Sequence, residues 1–391
     1  MPNAADLETT RPSGWALAAF FALLPAAGTA GALAIAPLQA VGGLAAAPRA
    51  WRHLKRPSAP LLLFSAFVVW AALSALWSPY PDHTQAFKLL GGALCGLLFI
   101  ANADTNRRLA RAAGAAGAIV FALMLASEAL TDMVLLRAAN PGEPGALIAR
   151  SLGRGGTLLV CIVWGSAAAL LRGGHIQRAI AVALVALTIF VATKFDVDAN
   201  IIACALGVIA ATLALAWPRA TILALCVALA SWLLAAPWVM QALPRAENGA
   251  LPDSWAMREA IWRYVADQIQ VRPWMGWGLD GPRTFTDMLD VRGISFRGIS
   301  LHPHSASLQI WLETGLVGAV LAASALVVGG VALARMLAAD RIAAAAAAGS
   351  LAAFGLFANV SFGLWQEWWI ATAFIAAALT AAARRDQSIR S

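Results

Sequence analysis

The chain has 391 residues, 61% of them hydrophobic and 12% charged, with a mean hydropathy of +0.73. Soluble domains carry about twice that share of charge, and apolar runs of roughly 20 residues, enough to cross a bilayer, recur from end to end; this excludes a soluble protein and predicts an all-α polytopic transmembrane bundle. The formal charge of +8 does not point to nucleic acid, because most Lys and Arg stand in short clusters at the ends of apolar runs.

In chain order, the residues before Arg11 are acidic and lack a basic leader, so the first apolar run reads as a retained helix. About twelve spans follow, at 14–27, 29–47, 58–77, 86–103, 109–130, 153–171, 178–193, 199–216, 220–240, 304–334, 342–363 and 367–383. The first two form one apolar block broken only by Pro25 and Gly28. Cys95, Cys161, Cys204 and Cys226 all fall inside apolar runs without CxxC spacing, which reads as small buried hydrophobes.

Every second connection is basic: Arg49, Arg52, Lys55 and Arg56; Arg107, Arg108 and Arg111; Arg172 and Arg178; Arg219; Arg335 and Arg341; Arg384, Arg385 and Arg390. The positive-inside rule makes these loops and both termini cytoplasmic. The intervening loops face outward and hold the acids Asp82, Asp132, Glu143, Asp196 and Asp198. Segment 241–303 is also outward, since a long loop crosses regardless of its charge. The chain thus divides into a membrane bundle over 1–240, an outward loop over 241–303, and C-terminal spans with a tail over 304–391.

Cations gather at the outward side. Arg150 and Arg154 open the sixth span, and Lys194 closes the seventh beside Asp196 and Asp198. Each alone reads as a snorkelling anchor, but together with Arg258 they suggest a site. Glu128, Glu313 and Glu367 lie at or within spans and should face the bundle interior, Glu313 in a structural role. Trp365, Trp368 and Trp369 read as an interfacial aromatic belt.

The long polar passage from Ser254 to Gly318 carries the chemistry. Ile261, Val265 and Ile269 fall on one helical face, away from Arg258, Trp262 and Arg263. Asp253 or Ser254 can cap this helix, and Pro273 closes it. A glycine turn, GWGL, follows, and His302 and His304 stand where the chain becomes apolar again. Trp255, Trp262, Trp274 and Trp277 suit either an interface-lying helix or sugar stacking.

Guanidinium groups bind the oxyanions of a diphosphate in a bidentate fork. With no acidic cluster spaced for Mg²⁺, Arg and Lys would have to stabilise a departing diphosphate themselves. A histidine of near-neutral pKa could deprotonate an acceptor hydroxyl, with His304 as base and His302 in support; His83 has only loop chemistry around it. The His-x-His pair has no evident third zinc ligand, so neither metal nor cofactor is expected.

These residues resemble the O-antigen ligase and polymerase superfamily: SxxxRxxIW at Ser254 to Trp262, RPxxGWGL at Arg272 to Leu279, HPHxxxLQxWLExGxxG at His302 to Gly318, and WQxWW at Trp365 to Trp369. The resemblance covers the C-terminal half through motifs and the N-terminal half through topology. It implies a GT-C-like, metal-independent, inverting glycosyltransferase of a bacterial inner membrane, with its active site facing the periplasm. The donor would be a glycan on undecaprenyl diphosphate, and the acceptor lipid A–core or, in a polymerase, another lipid-linked glycan. By the same resemblance Arg258 contacts the diphosphate and His304 is the motif histidine, although Ser305 stands where the family has Asn. Lys194 takes the place of a family arginine, and Arg154 sits in a GRGG stretch like an Asn-Arg motif. A transporter of lipid-linked sugar is a third reading, but internal repeats and charged midplane helices are not evident.

Overall fold

A computed structural model describes residues 12–47, 57–195, 197–242, 252–299 and 301–385. Arg49, Arg52, Lys55, Arg56, Asp196 and Arg390, named above, lie outside the described residues. Fourteen α-helices are described. The first five are α1 (Pro12–Thr29), α2 (Ile35–Leu44), α3 (Ala59–Leu73), α4 (Thr84–Thr105) and α5 (Arg107–Leu130). A short α6 (Val134–Ala139) leads to α7 (Gly145–Leu171), α8 (His175–Ala192), α9 (Asp198–Ala216) and α10 (Pro218–Ala242). The polar passage forms α11 (Asp253–Val271) and an antiparallel hairpin of β1 (Met288–Val291) and β2 (Ile294–Arg297). Then come α12 (Ala306–Met336), α13 (Arg341–Val360) and α14 (Glu367–Ala382). Each of the twelve expected spans holds one helix, but among the described residues nine are long and apolar enough to cross a membrane; α1, α2 and α14, in the expected spans 14–27, 29–47 and 367–383, are not among them. The molecule is a multi-pass helical membrane protein.

The most enclosed helix is α7, 78% of whose apolar window is buried inside the bundle. It packs against α5, α8, α13 and α14. Its small residues permit this. A Cβ on Gly155 would sit 2.7 Å from the Gly28 carbonyl oxygen, so the crossing of α1 and α7 requires glycine there. Helix α7 starts at Gly145 rather than at 153, because Pro144 marks the helix end whereas hydropathy marks only the edge of the apolar run. Arg150 and Arg154 therefore lie one turn apart inside the helix, not at its opening.

The two ends of the bundle differ in chemistry. At one end Arg172 holds both Asp340 oxygens at 2.5 and 2.6 Å, and Arg384 reaches Asp104 at 3.1 Å. Arg111 and Arg172 also donate to carbonyls at the C-terminal end of α14, at Ala382 and Ala383. Four of the expected basic connections, at 107–111, 172–178, 335–341 and 384–385, thus meet there. The other end carries α11, the hairpin and the start of α12. Helix α11 buries Val265, Ala266 and Ile269 against α10 and α12, with Ile261 half-buried, which matches the expected stripe.

Two expectations are corrected. Trp365, Trp368 and Trp369 are no lipid-facing belt: they are 5%, 5% and 0% exposed, and Trp369 stacks on Phe354 at 4.1 Å. Hydropathy cannot distinguish an indole facing lipid from one facing a neighbouring helix. Glu367 does not turn inward either; it pairs with Lys88 at 2.8 Å on the rim, where both side chains are about half exposed. Glu128 and Glu313 are buried, as expected.

Candidate active site

The site rests on a break in α12. Gly315 takes φ 66° and ψ −165°, a left-handed conformation that interrupts the helix after Thr314. An interruption frees backbone groups that must find other partners in the interior. The glycine turn supplies them. Trp277 and Gly278 donate their N–H groups to the carbonyls of Leu312 and Glu313 at 2.8 and 2.9 Å. Trp70 Nε1 donates to the Thr314 carbonyl at 3.0 Å. Beyond the break, Leu316 N–H donates to the Pro273 carbonyl at 2.8 Å. The Glu313 carboxylate accepts from Gln309, Trp365 Nε1 and the Asp280 N–H at 2.8, 2.7 and 2.9 Å. It is structural, as expected: it ties the 280–283 turn and the approach to α14 onto α12.

A cavity of ≈ 1240 Å³ opens above this frame. Arg150 and Arg154 from α7, Asp198 from α9 and Arg258 from α11 line one side. His302 and His304 line it from the approach to α12, and Asp280, Arg283, Gln366 and Glu367 complete it. Of the residues the sequence suggested, Arg154, Arg258, His302 and His304 are brought together, with Arg150 beside them.

Arg258 is set as an anion donor. Its Nη1 donates to the Ser254 carbonyl at 3.1 Å, and its guanidinium lies 5.4 Å from the Trp255 ring centroid. Its Nε is buried and, among the described residues, has no hydrogen-bond partner. Burial pulls its pKa down while the Asp198 carboxylate pulls it up. A desolvated guanidinium with hydrogen-bonding capacity left over, beside a cavity, is stabilised by an oxyanion there.

His304 does not open α12; Ser305 caps that helix, accepting from Leu308 N–H at 3.5 Å. His304 sits just before, at φ 55°. Its Nδ1 lies 2.7 Å from the Ser361 carbonyl oxygen. A carbonyl can only accept, so Nδ1 carries the proton and Nε2 keeps a free lone pair. Burial first, and the Arg258 charge after it, lower its pKa, against the Ser361 hydrogen bond. Its neutrality thus comes from burial rather than from a helix terminus. The His302 ring lies edge-on to it, centroids 4.5 Å apart. His302 Nε2 is 3.2 Å from Gln366 Nε2, and burial pushes its pKa down to about 3.

Two residues depart from expectation. Lys194 is not among the residues lining the cavity; its Nζ stands 5.0 Å over the Phe190 ring, and only its neighbour Phe195 reaches the wall. Trp262 lines a second, apolar groove of ≈ 920 Å³ between α9, α10 and α13. Its Nε1 donates to the Pro303 carbonyl at 2.9 Å, so it pins the segment carrying both histidines. The groove shares Trp255 and Val360 with the cavity.

Sequence reasoning missed Asp280, Arg283 and Gln366. The DGPR turn was a signal: Asp and Arg three residues apart around Gly-Pro place both side chains on one side, and here Arg283 Nε stands 3.0 Å from Asp280 Oδ1. Among the described residues, no three His, Cys, Asp or Glu side chains gather as metal ligands.

Residues 160–323 match the family model described as O-antigen ligase. A protein of Rickettsia typhi provisionally named a polysaccharide ligase is 30% identical over 129 residues, 31% of this chain and 30% of that relative. A Rickettsia conorii protein of the same provisional name is 37% identical over 76 residues, 18% of each chain. A Rickettsia bellii relative is 32% identical over 121 residues, 30% of this chain and 29% of its own length. The chain thus spans less than a third of the length of the curated relatives it matches.

Proposed function

We propose that this chain, similar to the O-antigen ligase family over residues 160–323, transfers a glycan from undecaprenyl diphosphate to lipid A–core at the periplasmic face of a bacterial inner membrane. One observation carries this reading: a buried guanidinium with a free N–H at Arg258 and a base-competent Nε2 at His304 share one cavity. Arg258, with Arg150 and Arg154, holds the diphosphate. The neighbouring apolar groove offers its polyprenyl chain a path into the bilayer. The acceptor hydroxyl gives its proton to His304 Nε2 while its oxygen forms the new bond to the anomeric carbon. The bond from that carbon to the diphosphate oxygen breaks, and the electron pair leaves on the diphosphate, where the guanidinium groups stabilise it. His302 buttresses the His304 ring. No metal is needed in this scheme.

The test is two-fold. A strain lacking the protein should show bare lipid A–core with lipid-linked polymer accumulating; core capped with single repeats would instead indicate a polymerase. Purified protein with lipid-linked glycan and lipid A–core should turn over fully in EDTA. Activity lost to chelator and restored by Mg²⁺ or Zn²⁺ would overturn the metal-free scheme.

The proposed orientation has its own measurement. A cysteine replacing Arg108, in the first turn of α5, should resist a membrane-impermeant maleimide added from the periplasm. One replacing Ile294 in the hairpin, which is exposed, should react. Equal labelling of the two would defeat the orientation.

A further inference from the structure

Inversion requires the acceptor oxygen to enter opposite the departing diphosphate. With the diphosphate on the side of Arg150, Arg154 and Arg258, the attacking group must come from beyond the two histidines. That side of the cavity has a different chemistry. It is built by the 280–283 turn and by the starts of α4 and α14, which present Asp280, Arg283, Gln85 and Glu367. Here the charges are balanced in pairs: Arg283 Nε is 3.0 Å from Asp280 Oδ1, and Lys88 Nζ is 2.8 Å from Glu367 Oε1. The electrostatic neighbours agree with two sides, since the charge of Arg258 acts on His304 and that of Arg283 on His302.

A charge-balanced wall does not favour a second phosphate. It offers carboxylate oxygens as acceptors and a guanidinium as donor, which suits the hydroxyls of a sugar ring. Gln85 Nε2 is fixed to the Trp365 carbonyl at 2.8 Å, which turns its carbonyl oxygen into a further acceptor. The turn is held rigidly, because the Asp280 N–H is bonded to the buried Glu313 carboxylate at 2.9 Å.

We propose that this side is the acceptor subsite, which binds the terminal sugar of the acceptor as a neutral, hydroxyl-bearing ring through Arg283, Glu367 and Gln85, and presents the attacking hydroxyl to His304 Nε2. The subsite rests on the transfer reading above and adds to it the residues that select the acceptor. Arg283 and Glu367 are binding residues here; the chemistry stays with His304 and Arg258.

The experiment uses the full chain in nanodiscs, with an undecaprenyl-diphosphate-linked oligosaccharide as donor and lipid A–core ending in a neutral hexose as acceptor. Arg283→Gln and Glu367→Gln should each raise the acceptor KM about tenfold, the effect of one lost hydrogen bond to a charged group, and leave the donor KM unchanged. Glu367 stands on the rim, so its variant carries the test even if Arg283→Gln fails to fold. An unchanged acceptor KM in Glu367→Gln, or a donor KM that rises with it, would overturn the subsite while leaving the transfer reading intact. No turnover by the wild type would overturn the transfer reading, and the subsite with it.

Discussion

Replacing His304 by alanine is expected to lower transfer by a factor of about 10² to 10⁴, the usual contribution of a general base, with donor binding retained. The hydrogen bond from Nδ1 to the Ser361 carbonyl fixes the tautomer that leaves Nε2 free. A histidine serving only as a packing element would give a different pattern, with folding and donor affinity falling together. The pH profile separates the two roles further. Only the neutral ring can accept a proton, so activity falls as pH drops through the pKa of His304. Burial lowers that pKa below the ordinary 6.5, and the acid limb should lie correspondingly lower. His302→Ala should cost less, because its ring supports His304 and its own pKa, near 3, leaves it uncharged throughout. Near-normal turnover by His304→Ala would remove the base from the scheme.

Much of the architecture was readable because the bilayer imposes it. Spans must be apolar and about 20 residues long, and among the described residues nine of the twelve expected ones are helices of that kind, whereas 29–47 holds only the ten-residue α2 and 367–383 the shorter α14. The α11 stripe was readable for a similar reason: Val265 and Ile269 are buried on the face their spacing defines. What escaped the sequence depends on tertiary partners. The break at Gly315 lies inside one expected span, 304–334, whose sequence reads as continuous helix, and the docking of Trp277 and Gly278 onto Leu312 and Glu313 gives its freed carbonyls partners. Trp262 suits either an interface-lying helix or sugar stacking by sequence, and neither reading shows that its N–H reaches the Pro303 carbonyl. Lys194 is close to the cavity in sequence, but the left-handed turn at Phe195 separates the lysine from its neighbour at the wall. Asp280 and Arg283 escaped because their value to the site comes from Glu313, 33 residues away, which anchors their turn.

Arg258→Ala should reduce transfer by about 10² to 10³, the cost of removing one preorganised donor from a developing oxyanion, and Arg258→Lys should recover little of it. The guanidinium is placed by two fixed contacts, its Nη1 on the Ser254 carbonyl and its plane beside Trp255. Nε is buried and without a partner among the described residues, so the desolvated guanidinium has a charge that a phosphate oxygen in the cavity would stabilise. A lysine ammonium is a point charge on a flexible stem. It can neither keep the Ser254 contact and the Trp255 stack together nor present a second aligned N–H. The loss should fall mainly on kcat, because charge on the bridging oxygen grows as the anomeric bond breaks, and an interaction that strengthens in the transition state lowers the barrier rather than the KM. Arg154→Ala and Arg150→Ala should show smaller, graded losses that weigh more on donor KM, since these residues approach the cavity from α7 as additional positive charge. If Arg258→Lys turned over at the wild-type rate, charge alone would suffice at this position, and the assignment of a bidentate diphosphate contact to Arg258 would be wrong.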